Sequence, residues 1–318
     1  MSQALVLPAS LRQGMRLSTS ALQSMVAVDR LAAYATSLPR EGENERALEY
    51  RFSLEQSWPN SGEIVVRNVS VSHRQEFSRE TSSALQQMSF KIPGGIHIAV
   101  VGPTGGGKST LVALLLRLLD PTMGTVTLDG IPMMDIPLHV LRSHLVAIPH
   151  DAVSFPNSTV REAVDPKGSH SREEIIRILS DLERVAGLHS QAPLALDEPV
   201  DEQVAQGTGR AQLIALASMI LQNPRVCVLD ETLGGLSVQA DVEVTKMVKE
   251  ALRGSTMIAV THRMEAAMLF ERVLVLDQGR IQAYGDLMDV WNKSEFFRKA
   301  CDRDGVTLEK IRGVRIEN

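Results

Sequence analysis

Apolar positions along this chain change their spacing from one region to the next, and the changes mark its organisation. Over residues 9–37, Leu11, Met15, Leu22, Met25, Val26 and Leu31 recur near helical spacing, which predicts one helix capped by Ser10. Pro39, Glu41, Gly42 and Glu43 break that pattern, and the charged residues 39–61, which include Trp58-Pro59-Asn60, read as a linker. From Gly62 the apolar residues gather into short runs. Residues 63–71 and 88–92 read as strands of a small sheet, and 96–101, 125–128, 145–149, 226–231, 256–260 and 272–276 as further strands. Several of these runs are almost wholly apolar and alternate with helical stretches, the pattern of a parallel sheet covered on both faces. Residues 158–222 are mostly helical. Ser171 and Glu174 have capping-box spacing, and a helix over 209–222 stops ahead of Asn223-Pro224. Helices are also predicted at 238–252 and 285–300, and the last residues are polar. No internal repeat or low-complexity tract interrupts the chain.

Chemistry enters between the strand 96–101 and the helical run that starts at Leu111. Gly102-Pro103-Thr104-Gly105-Gly106-Gly107-Lys108-Ser109-Thr110 matches the P-loop pattern G-x-x-x-x-G-K-[ST] in full. Four glycines let the backbone curl so that its N–H groups face phosphate oxygens, and the positive end of the following helix adds to the attraction. Lys108 is placed to reach the β- and γ-phosphates, and Ser109 to hold Mg²⁺. The chain is therefore expected to be an α/β protein with a P-loop NTPase core that binds a nucleoside triphosphate. It combines a mostly parallel sheet, a small antiparallel β subdomain, a helical subdomain at about 152–222 and an N-terminal helix.

A P-loop needs an acid to hold the metal. Asp230 ends an apolar strand and fits that role, and Glu231 beside it is suited to orient and deprotonate a water. The plainer alternative is that the two acids only cap the next helix. His262 follows another apolar strand, and strand ends on one edge of a parallel sheet converge on the ligand crevice. That position suits contact with the γ-phosphate.

Composition narrows the classes. Of 318 residues, 44% are hydrophobic, enough for one large α/β domain with an appendage. The net charge of −5 leaves no basic footprint for nucleic acid. The two cysteines, Cys227 and Cys301, form no metal-ligand spacing and suit a reducing compartment. No run of eighteen apolar residues is present, and the start of the chain lacks the basic stretch of a secretory signal, so a cytoplasmic location is expected.

The order of loop, acid pair and histidine resembles the nucleotide-binding domain of ATP-binding-cassette (ABC) transporters, over about residues 62–300. In detail it looks like the second such domain of the multidrug-resistance-protein (C) subfamily. Supporting strings are Trp58-Pro59 with Gly62-Glu63-Ile64, Leu119-Asp120-Pro121-Thr122, Leu128-Asp129-Gly130, Ile136-Pro137-Leu138 with Leu141-Arg142-Ser143, and Val275-Leu276-Asp277-Gln278-Gly279. Residues 1–38, with Ser24-Met25-Val26-Ala27-Val28-Asp29-Arg30, look like the cytoplasmic extension of the last transmembrane helix, and 301–318 like a C-terminal tail. The membrane domain itself is not among these residues. The resemblance implies partners: a second cassette, in a hetero- or homodimer that sandwiches two ATP molecules, and ABC transmembrane domains, and no nucleic acid.

Several positions depart from the family pattern. Where the signature Leu-Ser-Gly-Gly-Gln is due, the chain has Gln206-Gly207-Thr208-Gly209-Arg210. Gly207 replaces the serine that bonds the partner's γ-phosphate, Thr208 and Gly209 follow, and Arg210 brings a charge that offsets part of the loss. His150 stands where the family's glutamine touches Mg²⁺. His73 stands where an aromatic residue stacks on adenine. Ser237 replaces the aspartate of the loop after the catalytic glutamate. Three functions follow: a cassette ATPase that drives export with a partner, a truncated ATP-binding remnant or regulator with impaired hydrolysis, and a soluble cassette ATPase acting on ribosomes or DNA repair. The acidic charge balance disfavours the last.

Overall fold

A computed structural model describes residues 3–37, 58–73, 82–150, 158–188, 194–200 and 209–314. The chain divides into two compact units, Met1–Glu49 and Tyr50–Asn318. In the first, helix α1 spans Gln3–Ser37. It begins ahead of Ser10, so Ser10 lies inside the helix and does not cap it; the Ala- and Leu-containing residues before it favour helix. Its side chains from Arg12 to Thr36 are exposed. The hydroxyls of Ser18, Thr19, Ser24 and Thr36 each donate to the carbonyl four residues back, where they find a partner without tertiary packing.

The second unit is built on two sheets. Strands β1 (Ile64–His73), β2 (Ser82–Ile92), β4 (Met123–Leu128) and β5 (Ile131–Pro132) form an antiparallel sheet in the order β2-β1-β4-β5. Strands β3 (His97–Val101), β6 (Leu145–Ile148), β7 (Val226–Asp230), β8 (Thr256–Val260), β9 (Arg272–Asp277) and β10 (Arg280–Gly285) form the other, ordered β10-β9-β3-β8-β7-β6. All its pairs are parallel except β10 with β9. The helices are α2 (Lys108–Leu115), α3 (Leu138–His144), α4 (Val160–Val164), α5 (Arg172–Val185), α6 (Gly209–Gln222) and α7 (Val238–Ala251), then α8 (Met264–Ala267), α9 (Leu287–Lys293), α10 (Glu295–Arg303) and α11 (Leu308–Val314).

Side chains alternate across the large sheet with period two and feed two cores. Ala99, Val101, Cys227, Leu229, Met257, Ala259, Val273 and Val275 pack with α5, α6 and α7. Ile98, Val100, Val226, Val228, Ile258, Val260, Leu274 and Leu276 pack with α2 and the small sheet. Both faces are thus covered, which explains the unbroken apolar runs. At the domain's entry, the Asp129 carboxylate accepts from the Ser61 and Glu63 N–H groups and the Ser61 hydroxyl, tying the chain ahead of β1 to the β4–β5 turn.

Local signals held unevenly. Thr159 and Glu162 form a full capping box at α4, which the sequence reading did not pick out. At α5 only the Ser171 half is made, because the Glu174 carboxylate lies 3.3 Å from His170 Nδ1. The stretch 285–300 is two helices, since Ser294 ends α9 and its hydroxyl caps α10. Of the residues after 300, those up to 314 are described and pack into the domain. Cys301, Val306 and Ile311 are buried because α10 and α11 join the core that contains α5, α6 and α7.

Among buried polar groups, His97 at the start of β3 is 4% exposed. Burial holds its imidazole pKa below the ordinary 6.5, against the opposing charge of Glu271. The folded state therefore resists a proton that the unfolded chain accepts. Stability from this group is complete above about pH 6.5 and declines as pH falls below it. Urea midpoints at pH 7.5 and 5.5 should show a smaller acid loss for His97→Leu than for wild type; equal losses would remove His97 as the cause.

Candidate functional site

Strand register decides which residues meet. The pairs Val100↔Val260 and Asp230↔Val260 align the carboxyl ends of β3, β8 and β7. The ladder runs one step further, because Glu231 N–H donates to Val260 O (3.1 Å) and Thr261 N–H to Val100 O (3.2 Å). The loop 102–107, the pair Asp230-Glu231 and Thr261-His262 therefore open on one edge although they are far apart in sequence. His150 follows β6 on the same edge and is exposed.

The glycine loop is shaped by close approach to β9. A Cβ at Gly102 would stand 2.0 Å from the Leu276 carbonyl oxygen. Gly107, just before α2, has φ 103°, where a side chain would be strained, and its Cβ would meet Leu85 at 2.9 Å. Gly279 N–H closes the cradle by donating to Gly106 O (3.0 Å). Gly105 faces open space, with nothing within 4 Å of an added Cβ. Lys108 is 6% exposed, and its ammonium donates to Gly102 O (2.9 Å) and Pro103 O (3.0 Å). Burial lowers its pKa, and the charges of Glu231 and Asp230 oppose that shift. Ser109 is exposed at the first turn of α2.

Across from the loop, burial and the neighbouring Glu231 charge push the Asp230 carboxyl pKa up, against His150, Lys108 and His262. Glu231 holds φ 51°, a left-handed conformation that costs a non-glycine residue about 1–3 kcal/mol and clusters at functional sites. Its carboxylate lies between two imidazoles: Oε1 is 2.5 Å from His262 Nε2 and Oε2 is 3.7 Å from His150 Nδ1. The acid pair does not cap the next helix. Ser237 does, accepting from Ala240 N–H at 3.2 Å. A cap is a role that serine and aspartate fill about equally, so the helix start survives the departure at Ser237.

Among the described residues no group of three or more His, Cys, Asp and Glu is set to hold a metal ion. A divalent cation beside Asp230 therefore depends on further oxygen ligands from phosphate and water, in the manner Mg²⁺ favours. The fit is favourable, because a cation there relieves the repulsion between two adjoining carboxylates and returns the Asp230 pKa toward its usual range. His73 ends β1, but its side chain lies outside the described residues, as do Gly207 and Thr208 altogether. Gly209 opens α6 so close to the loop after Glu231 that a Cβ would stand 2.5 Å from Leu236. Arg210 has a partner within the chain. Its guanidinium is 3.1 Å from the Glu183 carboxylate, and the two side chains are only 16% and 9% exposed. A buried carboxylate needs a cation beside it, and Arg210 supplies that charge inside the helical layer.

The contact of Gly102 with β9 gives a direct test. Gly102→Ala should cost about 1–3 kcal/mol in urea denaturation, because the backbone on both sides must move. An unchanged midpoint would show that the loop does not pack on Leu276.

Comparison with known proteins follows the same lines. Residues 85–234 match the family model described as ABC transporter. The chain is 31% identical to the ABC-type transporter cicA of Emericella nidulans over 306 residues, which is 91% of this chain and 21% of that protein. It is 33% identical to the multidrug resistance protein fer6 of Mycosarcoma maydis, over 90% of this chain and 21% of the relative. It is 32% identical to ATP-binding cassette sub-family C member 3 of Rattus norvegicus, over 89% of this chain and 18% of the relative. The chain thus spans about a fifth of the length of the curated relatives it matches. A bacterial Atm1-family ABC exporter solved with ATP bound shares the fold, with a TM-score of 0.69 and 24% identity over 78% of this chain and 43% of the other. Among the described residues no helix is long and apolar enough to cross a membrane. Residues 85–234 are thus an ABC transporter ATP-binding domain, and over 89% of its length the chain resembles a C-subfamily member.

Proposed function

We propose that the chain binds Mg-ATP on the loop 102–110 and, facing a second cassette, hydrolyses it to drive export through transmembrane partners. The observation that carries this reading is the meeting of Lys108, Asp230, Glu231 and His262 on one sheet edge, with the Glu231 carboxylate 2.5 Å from His262. In this reading the backbone of Gly102, Pro103, Thr104, Gly105, Gly106, Gly107 and Thr110 cradles the phosphates and Lys108 turns from its carbonyls to the β- and γ-oxygens. Ser109 and Asp230, with His150 nearby, hold Mg²⁺, and His73 stacks on adenine. Bound Mg²⁺ neutralises phosphate charge as it develops. Glu231 takes the proton of the attacking water, and His262 fixes that carboxylate and the γ-phosphate end. The chain's own Gly207-Thr208-Gly209-Arg210 segment faces the partner's ATP, and its P-loop half is that of a second cassette. Attachment to transmembrane domains places it at the cytoplasmic face of a membrane.

A second reading has its own support. Gly207 removes one hydrogen bond to a charged phosphate, about 1.5–3 kcal/mol or one to two decades in rate, and Arg210, paired with Glu183, does not restore it. A homodimer carries that defect over both nucleotides and a heterodimer over one. An ATP-binding regulator that hydrolyses poorly is the function left if no partner supplies a better signature.

Thermal unfolding with Mg-ATP separates these readings. At 100 times the dissociation constant, bound nucleotide stabilises the fold by about 2.7 kcal/mol. Lys108→Ala should erase that stabilisation, and its survival would refute the phosphate role of Lys108. Glu231→Gln should keep the stabilisation and lose phosphate release in mixtures with a partner cassette. Wild-type turnover equal to Glu231→Gln in every mixture would leave the regulator.

A further inference from the structure

The loop that joins Glu231 to α7 is gripped by one side chain that lies outside it, Arg263. Gly234 and Gly235 loosen this loop, and neither has the positive φ that would require glycine. Its internal bonds are few: Gly234 N–H donates to Glu231 O (3.2 Å) and Leu236 N–H to Leu233 O (3.0 Å). Leu233 and Leu236 are buried in the core, but behind the loop lies a cavity of about 90 Å³, lined in part by Leu233, Gly234, Thr245, Ala266 and Phe270.

Arg263 bonds this loop directly. Its Nη2 donates to Gly234 O (3.3 Å) and Leu236 O (2.8 Å), and its Nη1 to Ser237 O (3.3 Å) and Asp241 Oδ2 (3.0 Å). Asp241 is buried at 5% exposure and also accepts from the Thr245 hydroxyl (3.3 Å). A buried carboxylate is costly unless paired, so Asp241 holds the guanidinium firmly in place. The planar fork then reaches three carbonyls in one geometry, which a lysine ammonium does not reproduce. Arg263 directly follows His262, and its N–H donates to Thr261 Oγ1 (3.1 Å). One side chain therefore ties the segment that carries Glu231 to the segment that carries His262.

We infer that Arg263, anchored by Asp241, is a positioning residue that clamps the loop 234–237 and so holds Glu231 against His262, setting the rate of hydrolysis and not the affinity for nucleotide. This rests on the hydrolytic function proposed above. Two variants of the full chain test it. Arg263→Lys keeps the ion pair with Asp241 but gives up the forked contacts. The double variant Arg263→Met with Asp241→Asn removes the clamp without stranding a buried charge.

Amide hydrogen exchange is read first, without nucleotide. Both variants should speed exchange of residues 232–238 by about ten-fold or more, with β3 and β8 unchanged as the control for folding. Binding of a fluorescent ATP analogue should stay within about two-fold of wild type, while kcat with a partner cassette falls about ten-fold and KM holds. Wild-type exchange in the loop of both variants would overturn the clamp. A loosened loop with unchanged kcat would overturn its positioning role. A wild type that binds Mg-ATP yet turns over in no mixture would overturn the hydrolytic half together with the function it rests on, and the exchange data alone would then decide the clamp.

Discussion

The parallel pairing of β7 with β8, which sets Asp230 against Val260, is the constraint on which the rest of the site depends. Strand ends in a parallel sheet all point one way, so whatever follows each strand emerges on the same edge. β3 delivers a glycine loop there, β7 two acids and β8 a histidine. The backbone bonds from Glu231 to Val260 and from Thr261 to Val100 carry this alignment beyond the strands. A shift of one residue in this pairing would also turn the Val226, Val228 face of β7 away from the small sheet and into the helical core. Core packing and site geometry are therefore specified by the same register.

At that edge the charges stabilise one another. Lys108 is buried and gives up solvation, yet the two acids favour its charged form. Asp230 is destabilised by burial and by Glu231, and eased by His150, Lys108 and His262. No single group is comfortable alone, and the set as a whole suits an added cation and an anion bound together. Glu231 adds backbone strain at φ 51°. That strain persists because its carboxylate meets His262 and because the loop that follows is held from outside by Arg263.

Arg210 leans on Glu183, and Gly209 fits against Leu236, so the start of α6 is organised around its own neighbours. Ser237 caps α7.

Sequence alone determined the strands that are buried on both faces, the P-loop, the acid pair and the bounds of α6, because each rests on local chemistry: unbroken apolar runs, glycine spacing, a proline stop. It read the stretch 285–300 as helical but did not place the break at Ser294, and it did not pick out the edge strand β10. β10 alternates weakly and is stabilised by distant partners, such as the Tyr284 hydroxyl bonding Lys91 O. Tertiary structure alone decided that Glu231 sits between two histidines, that Arg210 is engaged by Glu183, and that Arg263 grips the loop after the acid pair. These facts depend on side chains meeting across segments tens of residues apart. No local pattern encodes such a meeting; only the packed register of the sheet brings it about.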